Sequence, residues 1–260
     1  MKTITVIGRG LDPAKHLTLE ALRALKNADI VLGIEPEKES WLKLQAEFNL
    51  PEIKDIGFLY KNGAKDFDNY NSFVSYIFST SEQHDNVVLL VAGHPRLGVT
   101  FAQMLSKNKD FSQDVRFIEG ISSFDVMLND LAIDPLEKGT SILDVNRLLL
   151  FQYQLENSVN YFLYHVCSVG TDKVHFQDAT QDNSLSLLQA YLEKYFDRSK
   201  TIYLCKASNG QEHQAEYIPV LLGELAQNLS LIDFGTTLFV PAEKPSQINF
   251  NFLQLLRGAV

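Results

Sequence analysis

The segment VAGHPRLG, Val91–Gly98, holds an imidazole and a guanidinium, His94 and Arg96, between two glycines, Gly93 and Gly98. A plain chain reversal needs one glycine or proline, so this loop carries more chemistry than a turn requires. Further reactive types stand in GRG at Gly8–Gly10, in GFLYKNGAKD around Tyr60, at Tyr70, and at Ser122 and Ser123 after Gly120. Several familiar chemistries fail on spacing. A dinucleotide fingerprint needs a third glycine where Pro13 stands, and no Walker lysine follows a glycine-rich loop. His94 has no partner at metal-ligand spacing, so no metal site is expected. The G-x-S-x-G elbow of serine hydrolases is absent, and the plain role of Ser122 and Ser123 is to cap a helix. Most tyrosines are core aromatics, but Tyr60 lies in a loop with glycine and lysine neighbours.

These groups need elements to position them. Thr3–Ile7 alternates and is β-branched, which predicts a strand. Leu19, Leu22, Leu25 and Ala28 recur at helical spacing behind Thr18, a good N-cap. Ile30–Leu32 predicts a strand, Lys38–Phe48 a helix with the single Trp41, and Phe67–Phe78 a helix with Tyr70, Phe73, Val74 and Ile77 on one face. Val87–Val91 is a continuous apolar run that predicts a buried strand, Val99–Leu105 a helix, and Val115–Ile118 another strand. This alternation predicts a mostly parallel sheet with helices on both faces, and such sheets bind ligands beyond the C-terminal ends of their strands. GRG and GHPRLG both occupy such ends. Past Gly120 the pattern changes. SSFDVMLNDLAI and Asn146–Gln152 read as helices, NYFLYHV, TIYLCKA and TTLFVPA as strands, and LSLLQAYLEKYF and IPVLLGELAQNL as helices between them. The expected fold is therefore two α/β domains, residues 1–119 and 120–245, the second with a mixed sheet, and a tail at 246–260.

The chain of 260 residues is 45% hydrophobic and 21% charged, with a net charge of -9. That composition supports a sizeable core and disfavours a nucleic-acid partner, because an acidic surface repels phosphates. Cys167 and Cys205 sit in apolar, strand-like runs and read as core residues, not as a disulfide framework. The chain opens at once on a strand, without the pattern of a signal peptide, and has no apolar run long enough for a bilayer. A cytoplasmic protein without a membrane partner is expected.

Taken together, the motifs resemble one family. GRGLDPAKHLTLEALRALKNADIVLG is similar to the opening of the tetrapyrrole methylase superfamily, LLVAGHPRLG to its second signature, and IEGISSFDVMLNDLAIDP to its third, in the same order. The GHP histidine, LYKNGAKDFDNY and TTLFVPA resemble the borosin peptide backbone N-methyltransferases more than the corrin enzymes. The resemblance implies two α/β domains with a cleft that binds S-adenosylmethionine, and a homodimer. It implies cofactor contacts at Leu11, Ala92, Gly93, His94, Leu97, Ser122, Ser123, His165, Thr236 and Thr237, with backbone groups of the Val91–Gly98 loop facing the methionine end. Tyr60 and Tyr70 match the tyrosines of the borosin loop and are the candidate catalytic groups.

The chain also departs from that pattern. Asp66 stands where an arginine is expected one helical turn before Tyr70, His165 replaces a glutamine, and Arg96 replaces the glycine after GHP. An amide nitrogen is a poor nucleophile, and a tyrosinate beside a cation could activate it. Without the arginine, Arg96, Lys61 or Lys65 would have to substitute, or the reaction differs. Tyr60 would act as a base only where a cation or the cofactor sulfonium favours tyrosinate, and otherwise as a hydrogen-bond donor. The implied function is methylation of backbone amides on a separate precursor peptide, since no peptide tail is evident after FVPAEKPSQINFNFLQLLRGAV. The alternatives are a small-molecule or tetrapyrrole methyltransferase, and a cofactor-binding partner or sensor without catalysis.

Overall fold

The computed structural model describes residues 2–34, 38–107, 114–173, 175–208, 214–243 and 248–258. Its first sheet holds β1 (Thr3–Gly8), β2 (Ile30–Gly33), β3 (Ile53–Asp55), β4 (Asn86–Val91) and β5 (Asp114–Ile118). The order is β3-β2-β4-β1-β5 and every pairing is parallel. The connecting helices are α1 (Pro13–His16), α2 (Leu19–Lys26), α3 (Lys38–Phe48), α4 (Asp66–Ser81) and α5 (Thr100–Lys107). Strand side chains alternate between two cores. Val6 and Leu89 pack with Phe73, Ile77 and Phe101 of α4 and α5. Ile7, Val88 and Leu90 pack on the opposite face with Leu25, Trp41 and Leu44 of α2 and α3. A strand buried on both faces reads as a continuous apolar run, which is why NVVLL lacks alternation. Leu19, although in register with Leu22 and Leu25, is 72% exposed at the start of α2.

The second sheet holds β6 (Thr140–Asp144), β7 (Asn160–Tyr164), β8 (Thr201–Lys206), β9 (Glu216–Leu221) and β10 (Thr237–Val240), in the order β6-β7-β10-β8-β9. β6 and β7 are parallel and the remaining pairings antiparallel. One face packs Leu163, Leu204 and Leu238 against α7 (Val145–Phe151) and α8 (Leu185–Leu192). The other face packs Phe162, Cys205 and Phe239 against Met127 of α6 (Ser123–Asp130). A last helix, α9 (Phe250–Leu256), buries none of its residues. No helix among the described residues is long and apolar enough to cross a membrane.

The second half differs from its sequence reading at defined points. IPVLL does not begin a helix: Glu216–Leu221 is the edge strand β9, followed by 3-10 turns over Leu222–Leu231. Pro219 is disfavoured inside a helix and tolerated on an edge strand, where a missing N–H costs little. β6 carries no strand signal in its sequence, because an edge position leaves TSILD only partly buried and without an apolar run. The strand-like run around Cys167 breaks at His165, whose backbone is left-handed (φ 63°, ψ 32°). Cys167 therefore lies in a 3-10 turn, although it is buried as expected.

The carboxyl ends of β1, β4 and β5 meet backbone to backbone. A Cβ on Gly8 would lie 2.4 Å from the Gly93 carbonyl, and one on Gly120 would lie 2.4 Å from the Gly8 carbonyl. Gly120→Ala is therefore expected to destabilise by about 3 kcal/mol, the upper range for overpacking, because the obstacle is backbone. Gly139, with φ +75° and nothing within 4 Å of an added Cβ, serves as the control. Gly139→Ala should cost only the left-handed strain of about 1 kcal/mol. Urea denaturation of both variants checks the ranking, and equal losses would contradict it.

Candidate functional site

The same edge of each sheet faces one cleft of about 1200 Å³. The first wall is built by the loops after β1, β4 and β5, and the second by the ends of β6, β7 and β8 with the starts of β9 and β10. Leu11, Ala92, Gly93, His94, Leu97, Ser122, Ser123, His165, Thr236 and Thr237 all line it, as do Tyr60 and Tyr70. A separate pocket of about 220 Å³ against Pro219 and Leu221 holds none of them.

Local bonding sets what each residue can offer. Gly10 and Gly93 bond each other reciprocally (N to O 3.3 and 3.0 Å), so Gly93 directs its own backbone groups at Gly10 and not into the cleft. A Cβ on Gly93 would meet nothing closer than Ser122 at 3.8 Å, and its φ of +65° is what calls for glycine. The GRG loop is ordered by His16, whose Nδ1 accepts from the amides of Leu11 (3.2 Å) and Asp12 (3.1 Å). His94 Nδ1 accepts from the Arg96 amide at 3.1 Å. Ser122 forms a capping box with Asp125, so its hydroxyl is engaged at the start of α6. Ser123 Oγ lies 3.0 Å from the Tyr164 hydroxyl. Thr236 Oγ1 donates to Asp233 Oδ1 at 2.8 Å.

Tyr60 is held by both halves of the chain. Its ring stacks on Phe176 (5.5 Å, 16°) and meets Phe73 and Phe234. Its loop is clamped to α4 by buried Asn69, whose amide accepts from Lys61 N (3.0 Å) and donates to Lys61 O (3.2 Å). Across the cleft, Asp66 N donates to Asp172 O at 2.8 Å and Gln177 N to Asn62 Oδ1 at 3.3 Å. Burial, with Asp66 beside it, pushes the Tyr70 hydroxyl up to about 12. Burial, Tyr70 and Asp66 raise Tyr60 as well. Both phenols stay protonated at neutral pH, which favours the donor role over a tyrosinate. Burial also raises the Asp66 carboxyl against the opposing pull of His165, and its Oδ1 is buried without a hydrogen-bond partner.

None of the cations expected to replace the missing arginine lines the cleft. Arg96 lies 3.5 Å over the Phe117 ring and donates to Gln103 Oε1 at 2.7 Å, so it braces its loop from behind. Lys65 pairs with Asp172 at 3.3 Å. The cleft instead holds Lys206, paired with Asp233 at 2.9 Å, and Arg147, which makes no ion pair with a described residue. Arg147, Asp144, His175, Phe176, Cys167 and Phe234 also line the cleft and were missed from sequence. Asp144 alone left a local signal, as a capping residue before VNRLLL. No group of His, Cys, Asp or Glu among the described residues is arranged to hold a metal ion.

Asp144 joins two structures. Its Oδ1 caps α7 through the Arg147 amide (2.8 Å) and its Oδ2 lies 2.6 Å from His165 Nδ1. Burial pushes its carboxyl up, but the bonds from His165 and Arg147 outweigh this and hold it below the ordinary value. A depressed folded value means stability that is present above the ordinary carboxylate range of about 4 and is lost as pH falls through the folded value. Asp144→Asn keeps the cap, because asparagine caps as well as aspartate, and removes the charge. The stability difference between the two proteins should be full at neutral pH and vanish under acid, as read by thermal melts across pH. A gap that persists in acid would contradict the assignment.

Residues 3–217 match the family model described as Tetrapyrrole (Corrin/Porphyrin) Methylases. A type II borosin cyclic peptide precursor/methyltransferase of Phlebiopsis gigantea is 27% identical over 75% of this chain and 34% of its own length. A type I borosin methyltransferase/precursor of Coprinopsis marcescibilis is 24% identical over 98% of this chain and 67% of its own length. The chain thus spans between about a third and two thirds of these relatives. Among solved structures, uroporphyrin-III-C-methyltransferase from Thermus thermophilus superposes with a TM-score of 0.62 at 14% identity, covering 92% of this chain and 94% of that one. The methyltransferase CobJ superposes at 0.60 and 12%, covering 96% and 98%. These two show a shared fold. With the family model matching most of the chain, residues 3–217, the chain belongs to the tetrapyrrole methylase family.

Proposed function

We propose that this chain is an S-adenosylmethionine-dependent methyltransferase that acts, as a cytoplasmic homodimer, on backbone amide nitrogens of a precursor peptide. The observation that carries the proposal is the cleft, where the glycine loops of the first sheet and the Tyr60–Tyr70–Asp66 cluster share one cavity. Its volume exceeds the range usual for one small ligand, about 300–1,000 Å³, and so leaves room for a cofactor and a peptide segment together. The peptide substrate is inferred from the relatives, whose names join a methyltransferase to a cyclic peptide precursor. Residues 1–119 and 120–245 would serve as the two halves, with 246–260 as a tail.

The residues present fit such a cofactor. Leu11, Ala92, Leu97 and Thr237 would enclose it, and the unpartnered, buried Oδ1 of Asp66 suits a ligand that brings a donor or positive charge. When bound, the cofactor supplies a methyl group on a cationic sulfur. The protein's part is alignment of nitrogen, methyl and sulfur and hydrogen bonding from the protonated phenols. Tyr60 and Tyr70 would donate to the amide oxygen, where negative charge gathers as the nitrogen gives up its proton. A second reading, a cofactor-binding partner without catalysis, is favoured by Asp66 in place of the arginine.

S-adenosylhomocysteine should bind one per chain in calorimetry, and absence of heat and of a thermal shift at millimolar ligand would reject the site. With labelled cofactor and a precursor peptide, Tyr60→Phe should lose turnover by about a hundredfold or more, the scale for losing one donor to a developing oxyanion, at unchanged cofactor affinity. Full turnover in Tyr60→Phe would remove the residue from the mechanism. Phe73, Val74, Ile77 and Phe78 of the Phe67–Phe78 helix are buried in the chain's own core, so a homodimer would have only the margin of that helix to use, where Phe67 is 66% exposed. Light scattering at micromolar concentration should give twice the chain mass, and a monomer would refute it.

A further inference from the structure

Methylating an N–H group releases a proton, and the protonated phenols of Tyr60 and Tyr70 cannot take it. The question rests on the methyltransferase reading above, and the cleft offers few answers. His94 has committed Nδ1 to the Arg96 amide. His175 directs Nε2 to Asp182 at 3.1 Å, and its Nδ1 is buried near the Gly63 turn. Asp233 holds Lys206 and Thr236, and Asp172 holds Lys65.

His165 is different. Its Nδ1 lies 2.6 Å from Asp144 Oδ2. An ionised carboxylate can only accept, so Nδ1 carries the hydrogen and Nε2 is the bare nitrogen of the neutral ring. Nε2 bonds no described residue and faces the glycine loop, 3.7 Å from where a Cβ on Gly98 would stand. The left-handed backbone of His165 (φ 63°, ψ 32°) is uncommon for a residue other than glycine and is strained. It is held by Ser168 N, which donates to His165 O at 3.0 Å. Strain of this kind gathers where a side chain must be aimed. Asp66 lies near enough for its charge to act on the ring, and the side chain is 40% exposed, so a captured proton has a route to water.

We propose that His165, oriented by Asp144, is the group that accepts the proton of the substrate nitrogen. As the nitrogen–methyl bond forms and the sulfur–methyl bond breaks, the N–H proton passes to Nε2. The positive charge leaves the sulfur and appears on the imidazolium, facing Asp144 and Asp66. The proton then leaves to solvent and the neutral ring is restored.

His165→Gln is the central test, since a glutamine can contact a cofactor but cannot take a proton. Turnover should fall by about a hundredfold or more while calorimetric affinity for S-adenosylhomocysteine stays the same. Added imidazole should restore part of the turnover of His165→Ala. In the cofactor-free protein, nitrogen NMR of the labelled ring should show hydrogen on Nδ1 and none on Nε2 at mildly basic pH. Turnover retained in His165→Gln, or the opposite tautomer, overturns the proposal. If Asp66→Asn is dead while His165→Gln is active, the role passes to Asp66. No methyl transfer by the unmutated chain overturns the methyltransferase reading and this proposal with it, whereas transfer by both chains overturns this proposal alone.

Discussion

Much of the site depends on one close contact, the meeting of Gly8, Gly93 and Gly120 at the carboxyl ends of β1, β4 and β5. The contact distances leave no room for a Cβ on Gly8 or Gly120. Because these backbones touch, the loops that follow them converge on one rim. Leu11 follows the first, Ala92, Gly93, His94 and Leu97 the second, and Ser122 and Ser123 the third, and all of them line the cleft. The reciprocal bonds between Gly10 and Gly93 fasten two of these loops to each other. A parallel sheet always brings strand ends to one edge. Here the glycines decide how near the loops come.

The opposing wall is assembled by different physics. β10 runs antiparallel to its neighbours, so Thr236 and Thr237 enter the cleft at the start of a strand while Tyr164, Asp144 and Lys206 enter at the ends of theirs. The two walls are joined where the Tyr60 loop and the start of α4 meet Asp172, Phe176 and Gln177, through a stacked ring, one backbone bond and one bond to the Asn62 side chain. The charge of the cleft follows from the same arrangement. Asp66, Asp144, Asp172 and Asp233 line it, with Lys206 paired to Asp233 and Arg147 as the lysine and arginine of its lining, while Lys65 pairs with Asp172 from outside. Two desolvated phenols beside carboxylates keep their protons. A mechanism built on tyrosinate needs a cation that this cleft does not place beside them, and donation from the phenols needs none.

The first half was legible because its signals are local. Buried runs, glycines at strand ends and the Thr18 cap each fit one conformation, and the candidate contacts read from the ordered motifs do share one cavity. What stayed hidden depends on partners distant in sequence. β6 and β9 are edge strands whose burial is set by β7 and β8, so TSILD and EYIPVL carry no clean period. The left-handed turn at His165 has no glycine to announce it. Asp144 and His165 meet across a strand pair, 21 residues apart in sequence. Arg96 reads as a ligand-facing cation until Phe117, on the neighbouring strand, is seen to hold it from behind.

The central claim is that this cleft moves a methyl group from a sulfonium to a peptide backbone nitrogen. It is tested most directly by tandem mass spectrometry of a precursor peptide after incubation with the protein and methyl-labelled cofactor. The account predicts label on individual backbone nitrogens, found by fragment masses that change between successive residues and absent when Tyr60 is Phe. Label confined to side chains or to a peptide terminus, or peptide unchanged beside cofactor-saturated protein, would contradict it.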